Sequence, residues 1–476
     1  MLFNTLRFAL FFIVVYALYR RLGHRWQNRL LLLASYVFYV FWDWRFLSLI
    51  LLSTFINYYF GLRIDNAPDQ RRRKKNLVLC VCLNLAILGF FKYFNFFAEN
   101  LQALLEIFGL RAGRVTLNII LPLGISFYTF QAMSYPIDIY RRVIRPTKSL
   151  PDFALFIAFF PQLVAGPIER ARNLIPQIMA KRNITPEQFY HGCWLIFWGL
   201  YKKIVIADGL AVITKKVFAE TGDLYGGTLL IAMYAFAFQV YADFSGYSDM
   251  ARGFAKLMGF NLMLNFRTPF FSTNLYDFWQ RWHISLTTWI KEYLYYPLAL
   301  AKFFGRQLKA PLVVMLTWAI MGFWHGANWK FILWGVYHGA ILVAYNRLRP
   351  HMKALRLKRR FSFGSWNGLK RLFVFHLFCI GILFFAVESA PKMFAVLNAI
   401  TADFLTPHGV DFGLMGRVLL TILPLLIIEY FQYKGDDETI VFTWPLFARC
   451  AVYYVVLYSI ILYGDFGAQR YYYFQF

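Results

Sequence analysis

Long apolar runs, separated by short polar segments, alternate along the whole chain. A helix of about 20 mostly apolar residues is long enough to cross the hydrocarbon core of a bilayer. The pattern therefore predicts an all-α polytopic membrane protein with about 11–13 transmembrane helices. The apolar runs fall near residues 3–19, 30–42, 46–62, 76–97, 117–139, 188–214, 225–242, 311–324, 328–346, 370–387, 415–431 and 446–463.

One segment in the middle of the chain departs from this pattern because its apolar run is too short. Residues 153–178 are apolar, but Pro161, Gly166 and Pro167 interrupt them. Non-helical backbone at membrane depth is stable only when it is buried in protein or lines a cavity. We therefore expect a re-entrant segment here.

A second irregular segment, residues 265–298, mixes charged residues with aromatic ones. Asn274 followed by Asp277 is typical of a helix start with an acidic first turn. Large apolar side chains then recur at helical spacing, which favours one amphipathic helix at the membrane interface or within a cavity. These side chains are Trp279, Trp282, Leu286, Trp289 and Tyr293.

The composition agrees with a membrane protein, since 59% of the residues are hydrophobic and 16% are charged. The net charge of +26 comes from basic residues grouped in short segments between apolar runs, which is the positive-inside pattern of cytoplasmic loops. We therefore expect a lipid bilayer and no nucleic acid as the partner of this charge. The groups are Arg20 and Arg21, Arg71 to Lys75, Arg141 and Arg142, and Arg356 to Arg360.

The first apolar run has no small-residue cleavage site after it, so we interpret residues 1–21 as a retained first helix. The basic loops then place residues 20–29, 63–75 and 141–148 in the cytoplasm. No internal repeat or long linker interrupts the chain, and we expect a single membrane-embedded domain over residues 1–476.

The five cysteines lie scattered in apolar stretches. Cys80 and Cys82 form a C-x-C pair, but no second pair or nearby histidine completes a metal site. We expect small buried side chains and no bound metal.

Of the eight histidines, His24 and His351 lie in basic loops, and His191, His376 and His408 have no neighbours that suggest a role. The candidates for chemistry that remain are His283, His325 and His338. Ionisable side chains within membrane segments are costly and usually face a cavity, which makes them functional candidates. His325 follows a tryptophan and precedes Gly326, which lets another backbone or a substrate approach closely. Imidazole accepts and donates protons near neutral pH. The alternative is a core histidine that hydrogen-bonds across helices.

His338 lies 13 positions after His325, which is poorly phased for a shared site on one straight helix. A shared site requires a break near Gly326–Asn328, or a separate structural role for His338. His283 lies at the edge of the apolar stripe of its predicted helix, with Gln280 and Thr287 on the same side, and can line the same cavity.

A polar cluster in residues 242–254, which includes Asp243, Ser245 and Asp249, lies in an otherwise apolar region. It either binds a substrate hydroxyl or ion, or it holds two helices together. The chain contains no G-x-S-x-G, P-loop or H-E-x-x-H motif.

Several longer motifs resemble those of a known family. They are "LPLGISFYTFQAMSYPIDIYRR" at 121–142, "FFPQLVAGPIER" at 159–170, "YADFSGYSDMARG" at 241–253, "FWQRWHISLTTWIKEYLYYPL" at 278–298, "WHG" at 324–326, "WGVYHG" at 334–339 and the terminal "YFQF" at 473–476. Together they resemble the membrane-bound O-acyltransferases, and most of all the bacterial branch of alginate, peptidoglycan and cellulose acetylation proteins. The resemblance spans nearly the whole chain, in order.

The resemblance implies a ring of transmembrane helices with re-entrant and intramembrane helices around a central tunnel. It implies that His325 and His283 are the catalytic histidines. It also implies an acyl donor thioester in the cytoplasm, here acetyl-coenzyme A as substrate with no tightly bound cofactor, and a polysaccharide hydroxyl outside. In this branch a periplasmic SGNH-hydrolase-like partner completes the transfer, which places the chain in a bacterial inner membrane.

Near these histidines we expect substrate contacts from Trp324, Asn328, His338, Asp243 and Ser245. His325 acts either as a general base on the acceptor hydroxyl or as a nucleophile that forms an acyl-imidazole. Two other functions stay open. One is a D-alanyl transferase of teichoic acid modification that uses a carrier-protein thioester, and the other is a glycan or lipid transporter.

Overall fold

The structure of the chain is a computed structural model. It describes residues 1–110, 113, 116–219, 225–303, 305–358, 363–403, 410–467 and 471–472; for 303, 352–358 and 363–365 only the backbone is described. The terminal motif at 473–476 and the end of the basic run at 356–360 lie outside this description.

The described residues are mostly helical, with one antiparallel pair of two-residue strands, Lys302–Phe303 and Arg306–Gln307. The expectation of an all-α polytopic membrane protein is confirmed. In the described part of the chain six helical segments are long and apolar enough to cross a membrane. They are Trp44–Asp65, Gln70–Ile107, Gly226–Leu257, Trp366–Ala386, Phe412–Gly435 and Leu446–Tyr463. The larger number of crossings and the ring around a tunnel stay predictions.

The chain divides into two compact units. The first comprises residues 1–197 and 247–263, and the second comprises residues 198–246 and 264–476. The single domain expected over residues 1–476 stays a prediction. The α-helices that begin in the first unit are α1 (Leu6–Arg21), α2 (His24–Val40), α3 (Leu47–Asp65), α4 (Gln70–Leu88), α5 (Phe94–Ile107), α6 (Ile125–Tyr140), α7 (Leu150–Ala158), α8 (Ala171–Met179) and α9 (Pro186–Tyr201).

The α-helices that begin in the second unit are α10 (Asp208–Ala219), α11 (Gly226–Leu257), α12 (Leu275–Arg281), α13 (Ile284–Ile290), α14 (Tyr296–Leu300), α15 (Ala310–His325), α16 (Trp329–Lys358), α17 (Phe363–Ala386), α18 (Ala390–Ala402), α19 (Phe412–Gly435) and α20 (Leu446–Tyr463). Short 3₁₀ and π-helical turns join or extend several of them. The 3₁₀ turns are Trp44–Phe46, Pro269–Phe271 and Ile440–Thr443, and the π-helical turns are Gly89–Tyr93, Lys202–Ala207 and Lys291–Tyr295.

In the first unit the chain between α7 and α8 leaves the helical conformation, as its two prolines predict. Residues 159–170 are all buried, so this irregular backbone lies inside protein. Gln162 donates to the carbonyl oxygen of Phe156 at 3.2 Å, and the Glu169 carboxylate accepts from the backbone N–H of Met263. Side chains thus form hydrogen bonds with backbone groups of this unit that do not bond within a helix.

In the second unit α15 and α16 form a tightly packed helical hairpin. A Cβ atom added to Gly335 of α16 would lie 2.1 Å from the carbonyl oxygen of Trp318 in α15. Such a distance leaves no space for any side chain, so glycine is what allows the two backbones to approach. This close approach fixes how the residues of α15 and α16 face each other around the histidines.

Candidate active site

His325 is the last residue of α15, and a helix break follows it, between the apolar runs 311–324 and 328–346. Gly326 has an extended backbone, and α16 begins at Trp329. A Cβ on Gly326 would lie 2.1 Å from the ring of Phe331, so the glycine allows this ring to pack against the turn. The His325 side chain is buried in the protein. Ionisable side chains of membrane segments usually face the protein interior or a cavity in this way.

His283 lies at a second break, between α12 and α13. The sequence predicted one continuous amphipathic helix here, and that prediction is wrong. Asn274 does begin a helix, because its side chain accepts from the Asp277 N–H at 3.0 Å, but the helix ends at Arg281. His283 has a left-handed backbone (φ 45°, ψ 53°), which is strained for a non-glycine residue.

Hydrogen bonds with the non-helical segment that contains Asn265 and Arg267 hold this break in place. The Ile284 N–H donates to the carbonyl oxygen of Asn265, and the Arg267 N–H donates to that of Arg281, both at 2.9 Å. In a continuous helix the Ile284 N–H and the Arg281 carbonyl oxygen would bond to other backbone groups of that helix. Their hydrogen bonds to Asn265 and Arg267 therefore interrupt the helix. The result fixes the direction of the His283 side chain, which is 3% exposed.

His283 and His325 line the same cavity, together with mostly aromatic and aliphatic side chains. Its polar lining beyond the two imidazoles comes from Thr287 and Tyr472, while Gln280, which the sequence placed beside His283, is exposed. The remaining lining residues are Val240, Trp279, Trp282, Leu286, Met321, Trp334, Phe378, Ile382 and Phe385. A largely apolar wall with few polar groups is typical of a small-molecule site.

Aromatic rings fix the position of both imidazoles. The ring centroid of His283 lies 4.6 Å from that of Phe244, and the two rings meet edge to face. The rings of Trp334 and Phe385 lie 5.0 and 5.5 Å from the ring of His325. His283 lies outside the six candidate spanning segments, and burial lowers its pKa to about 3. Its ring is therefore neutral near pH 7 and has a lone pair available to accept a proton.

Trp324 lies near both histidines, although it does not line the cavity. Its ring centroid is 5.0 Å from that of His325 and 6.5 Å from that of His283. Asn328 differs, because its side chain is exposed and its Oδ1 accepts from the Lys330 N–H at 3.0 Å. This contact caps the start of α16.

His338 lies behind the cavity wall. Its ring centroid is 4.8 Å from that of Trp334 and 5.0 Å from that of Trp279, and both tryptophans line the cavity. The ring of His338 is 1% exposed, and within the described part of the chain neither of its nitrogens has a hydrogen-bond partner.

Asp243 and Ser245 are buried on α11 and are absent from the cavity lining. Asp243 forms an ion pair with Lys203 at 2.8 Å, and Lys203 forms a second one with Asp208, also at 2.8 Å. The substrate contacts expected of Trp324, Asn328, His338, Asp243 and Ser245 stay predictions. Among the described residues no group of three or more His, Cys, Asp or Glu side chains is arranged to hold a metal ion.

Sequence reasoning missed several lining residues of the cavity, among them Trp334 and Tyr472. Trp334 opens the "WGVYHG" motif, and the period of about 3.6 residues per turn places it on the same face as His338 four residues later. Tyr472 directly precedes the terminal "YFQF". Its place beside α11 depends on contacts between residues far apart in sequence, for which a single sequence carries no signal.

The arrangement can hold an acyl group and a hydroxyl next to two imidazoles within a largely apolar wall, which suits acyl transfer. The sequence model of the membrane-bound O-acyltransferase family matches residues 119–387, which include both histidines. The chain therefore belongs to the membrane-bound O-acyltransferase family, and it is an O-acyltransferase.

Individual relatives agree with this membership. The chain is similar to the probable alginate O-acetylase AlgI of Azotobacter vinelandii, with 40% identity over 83% of this chain and 78% of the relative. It is also similar to the peptidoglycan O-acetyltransferase of Helicobacter pylori, with 32% identity over 90% and 82%. The teichoic acid D-alanyltransferase of Bacillus subtilis is 29% identical over 56% and 69%. The resemblance to the bacterial alginate branch is thereby confirmed.

Proposed function

We propose that the protein transfers acetyl from cytoplasmic acetyl-coenzyme A across the bacterial inner membrane toward hydroxyls of an extracytoplasmic polysaccharide. The observation that carries the proposal is the common cavity of His283 and His325. The acceptor polymer is of the alginate or peptidoglycan type, in keeping with the named activities of two of the relatives.

In the proposed reaction the acceptor oxygen attacks the thioester carbonyl carbon, a C–O bond forms and the C–S bond breaks. His325 takes the hydroxyl proton as general base and returns it to the departing sulfur, so that coenzyme A leaves as a thiol. General base catalysis of this kind typically contributes about 10²–10⁴-fold. The surrounding rings of Trp334 and Phe385 restrict the motion of the imidazole, which supports a preorganised site.

His283 is the second catalytic histidine in this proposal. Its strained backbone conformation directs a neutral imidazole to the cavity, and strain of this kind concentrates at functional sites. A periplasmic SGNH-hydrolase-like partner receives the acetyl group and completes the transfer to the polysaccharide. We propose no tightly bound cofactor, since the donor thioester supplies the acyl group.

Radiolabelled donors test the acetyl assignment. Purified protein in vesicles receives acetyl-coenzyme A on one face and a soluble hydroxyl acceptor on the other, and label in the acceptor is counted. Thioester-dependent label in the acceptor supports the proposal. Movement of intact donor without thioester cleavage would contradict it and favour a transporter.

The similarity to a teichoic acid D-alanyltransferase favours one alternative, a D-alanyl transferase fed by a carrier-protein thioester. The same vesicles are offered D-alanyl carrier protein in place of acetyl-coenzyme A. Release of D-alanine from the carrier protein, without release of acetyl from acetyl-coenzyme A, would replace the acetyl proposal by this alternative.

The role of His325 is tested separately, by incubating the protein with donor in the absence of acceptor. A trapped acyl-imidazole would show that His325 acts by covalent catalysis and not as a general base.

A further inference from the structure

Tyr472, near the end of the chain, lines the cavity with His283 and His325 although it lies 229 residues from its hydrogen-bond partner Asp243. The backbone N–H of Tyr472 donates to Oδ2 of Asp243 at 2.8 Å. Its hydroxyl donates to the carbonyl oxygen of Phe385 at 2.7 Å. Both ends of the residue are thus fixed, and its ring is held against the cavity.

Asp243 belongs to a buried ionic cluster. Its Oδ1 and that of Asp208 each lie 2.8 Å from Nζ of Lys203, and the three side chains are almost fully buried. Two carboxylates and one ammonium leave an excess negative charge, which is costly in a protein interior unless further donors contact it. The N–H of Tyr472 is such a donor.

Lys203 contacts the same stretch of chain a second time. Its Nζ lies 4.3 Å from the ring centroid of Tyr471, at the distance of a cation–π interaction. The ring of Tyr471 is 1% exposed, so this interaction is desolvated. The ionic cluster therefore holds both Tyr471 and Tyr472, by charge on one and by hydrogen bonding on the other.

We propose that Asp243 is a positioning residue, which with Lys203 holds residues 471–472 so that the ring of Tyr472 forms one wall of the histidine cavity. The predicted effect of Asp243 on activity rests on the proposed acetyl transfer. The predicted fixing of residues 471–472 by Asp243 does not. A complete wall excludes water from the thioester. Without it, water attacks the carbonyl carbon, and the products are acetate and coenzyme A thiol in place of the acetylated acceptor.

Asp208 provides the matched control, because Asp208→Ala and Asp243→Ala each remove one carboxylate 2.8 Å from Lys203. Only Asp243 also contacts Tyr472. The full-length proteins are digested with carboxypeptidase in detergent, and their intact masses are followed. In the wild type and in Asp208→Ala we expect Tyr472 to remain in the final product of digestion. In Asp243→Ala we expect digestion to remove both Tyr472 and Tyr471. Equal end points for the two variants, or digestion past Tyr471 in the wild type, would overturn the proposal.

Activity gives a second, independent measurement. In Asp243→Ala we expect the ratio of acetate release to acceptor acetylation to rise on the order of tenfold. A chain that ends at residue 470 should show the same rise, and adding Asp243→Ala to it should change nothing further. Independent effects of the two changes would contradict positioning through Tyr472. If Asp243→Ala does not fold, Asp243→Asn replaces it in both measurements. Because asparagine retains an acceptor oxygen, we expect a smaller rise in the ratio of acetate release to acceptor acetylation.

The two proposals fail in different ways. If the wild type releases no acetyl from acetyl-coenzyme A, the proposed function is wrong, while the carboxypeptidase end points still decide whether Asp243 holds residues 471–472. If acetyl transfer is present and the end points do not differ, the proposed function remains and the positioning role is rejected.

Discussion

The ring centroid of His325 lies 5.0 Å from that of Trp334, with the two planes at 83°. The same indole lies 4.8 Å from the ring of His338 on its own helix. Trp334 therefore separates the histidine that lines the cavity from the one behind it. An edge-to-face contact of this kind stabilises one orientation of the imidazole by about 0.5–1.5 kcal/mol.

Replacing Trp334 should affect chemistry more than folding. We expect Trp334→Leu to lower acyl transfer by on the order of 10–100-fold, because the His325 ring gains freedom to leave the productive orientation. Trp334→Phe, which retains an aromatic face, should lose less. Trp329→Leu on the same helix is the control, since the side chain of Trp329 is 58% exposed. Initial transfer rates and melting temperatures are measured for all three, and equal rates for Trp334→Leu and Trp329→Leu would contradict this role.

Gly335 should tolerate no side chain. A Cβ there would lie 2.1 Å from the Trp318 carbonyl oxygen, so Gly335→Ala must push α15 and α16 apart. We expect a loss of about 2 kcal/mol or more in the free energy of unfolding, seen as a lower melting temperature. Gly416→Ala is the control, because nothing lies within 4 Å of its Cβ position within α19. A melting temperature for Gly335→Ala as high as that of Gly416→Ala would show that the hairpin is looser than described.

The left-handed backbone of His283 predicts an order of stability among its variants. Asparagine adopts this conformation readily, whereas a β-branched residue does so with strain of about 1–3 kcal/mol. We expect His283→Asn to melt at a higher temperature than His283→Val, and both to lose acyl transfer, since neither side chain has an imidazole. Melting curves and transfer rates are compared in one preparation. If His283→Val is the more stable variant, the helix break at this residue is not maintained.

The sequence predicted the parts of the site that local rules determine. Asn274 begins a helix because its side chain caps the Asp277 N–H, and α15 ends at His325, where the apolar runs 311–324 and 328–346 are separated in the sequence. The break at His283 was missed because the periodic apolar residues continue on both sides of it. The Asn265 carbonyl oxygen, which accepts from Ile284, and the Arg267 N–H, which donates to Arg281, impose that break, and helical periodicity carries no trace of these bonds.

The wall formed by Tyr472 was beyond prediction for a related reason. Its partner Asp243 lies in a polar cluster for which two roles, substrate binding and helix pairing, were open. Only the fold brings the N–H of Tyr472 to that carboxylate. Contacts of such long sequence separation depend on how the helices pack, and local propensity does not encode this packing.

If the imidazole of His325 is the general base of acyl transfer, His325→Gln should remove that transfer. Glutamine has a similar size and can form hydrogen bonds, but it cannot take the acceptor proton. The control is the same substitution at His351, whose side chain is exposed on α16. With donor thioester and acceptor supplied to folded protein in vesicles, we expect a loss of transfer of about 10²-fold or more for His325→Gln and wild-type transfer for His351→Gln. Wild-type transfer by a folded His325→Gln protein would contradict the role of His325 as general base.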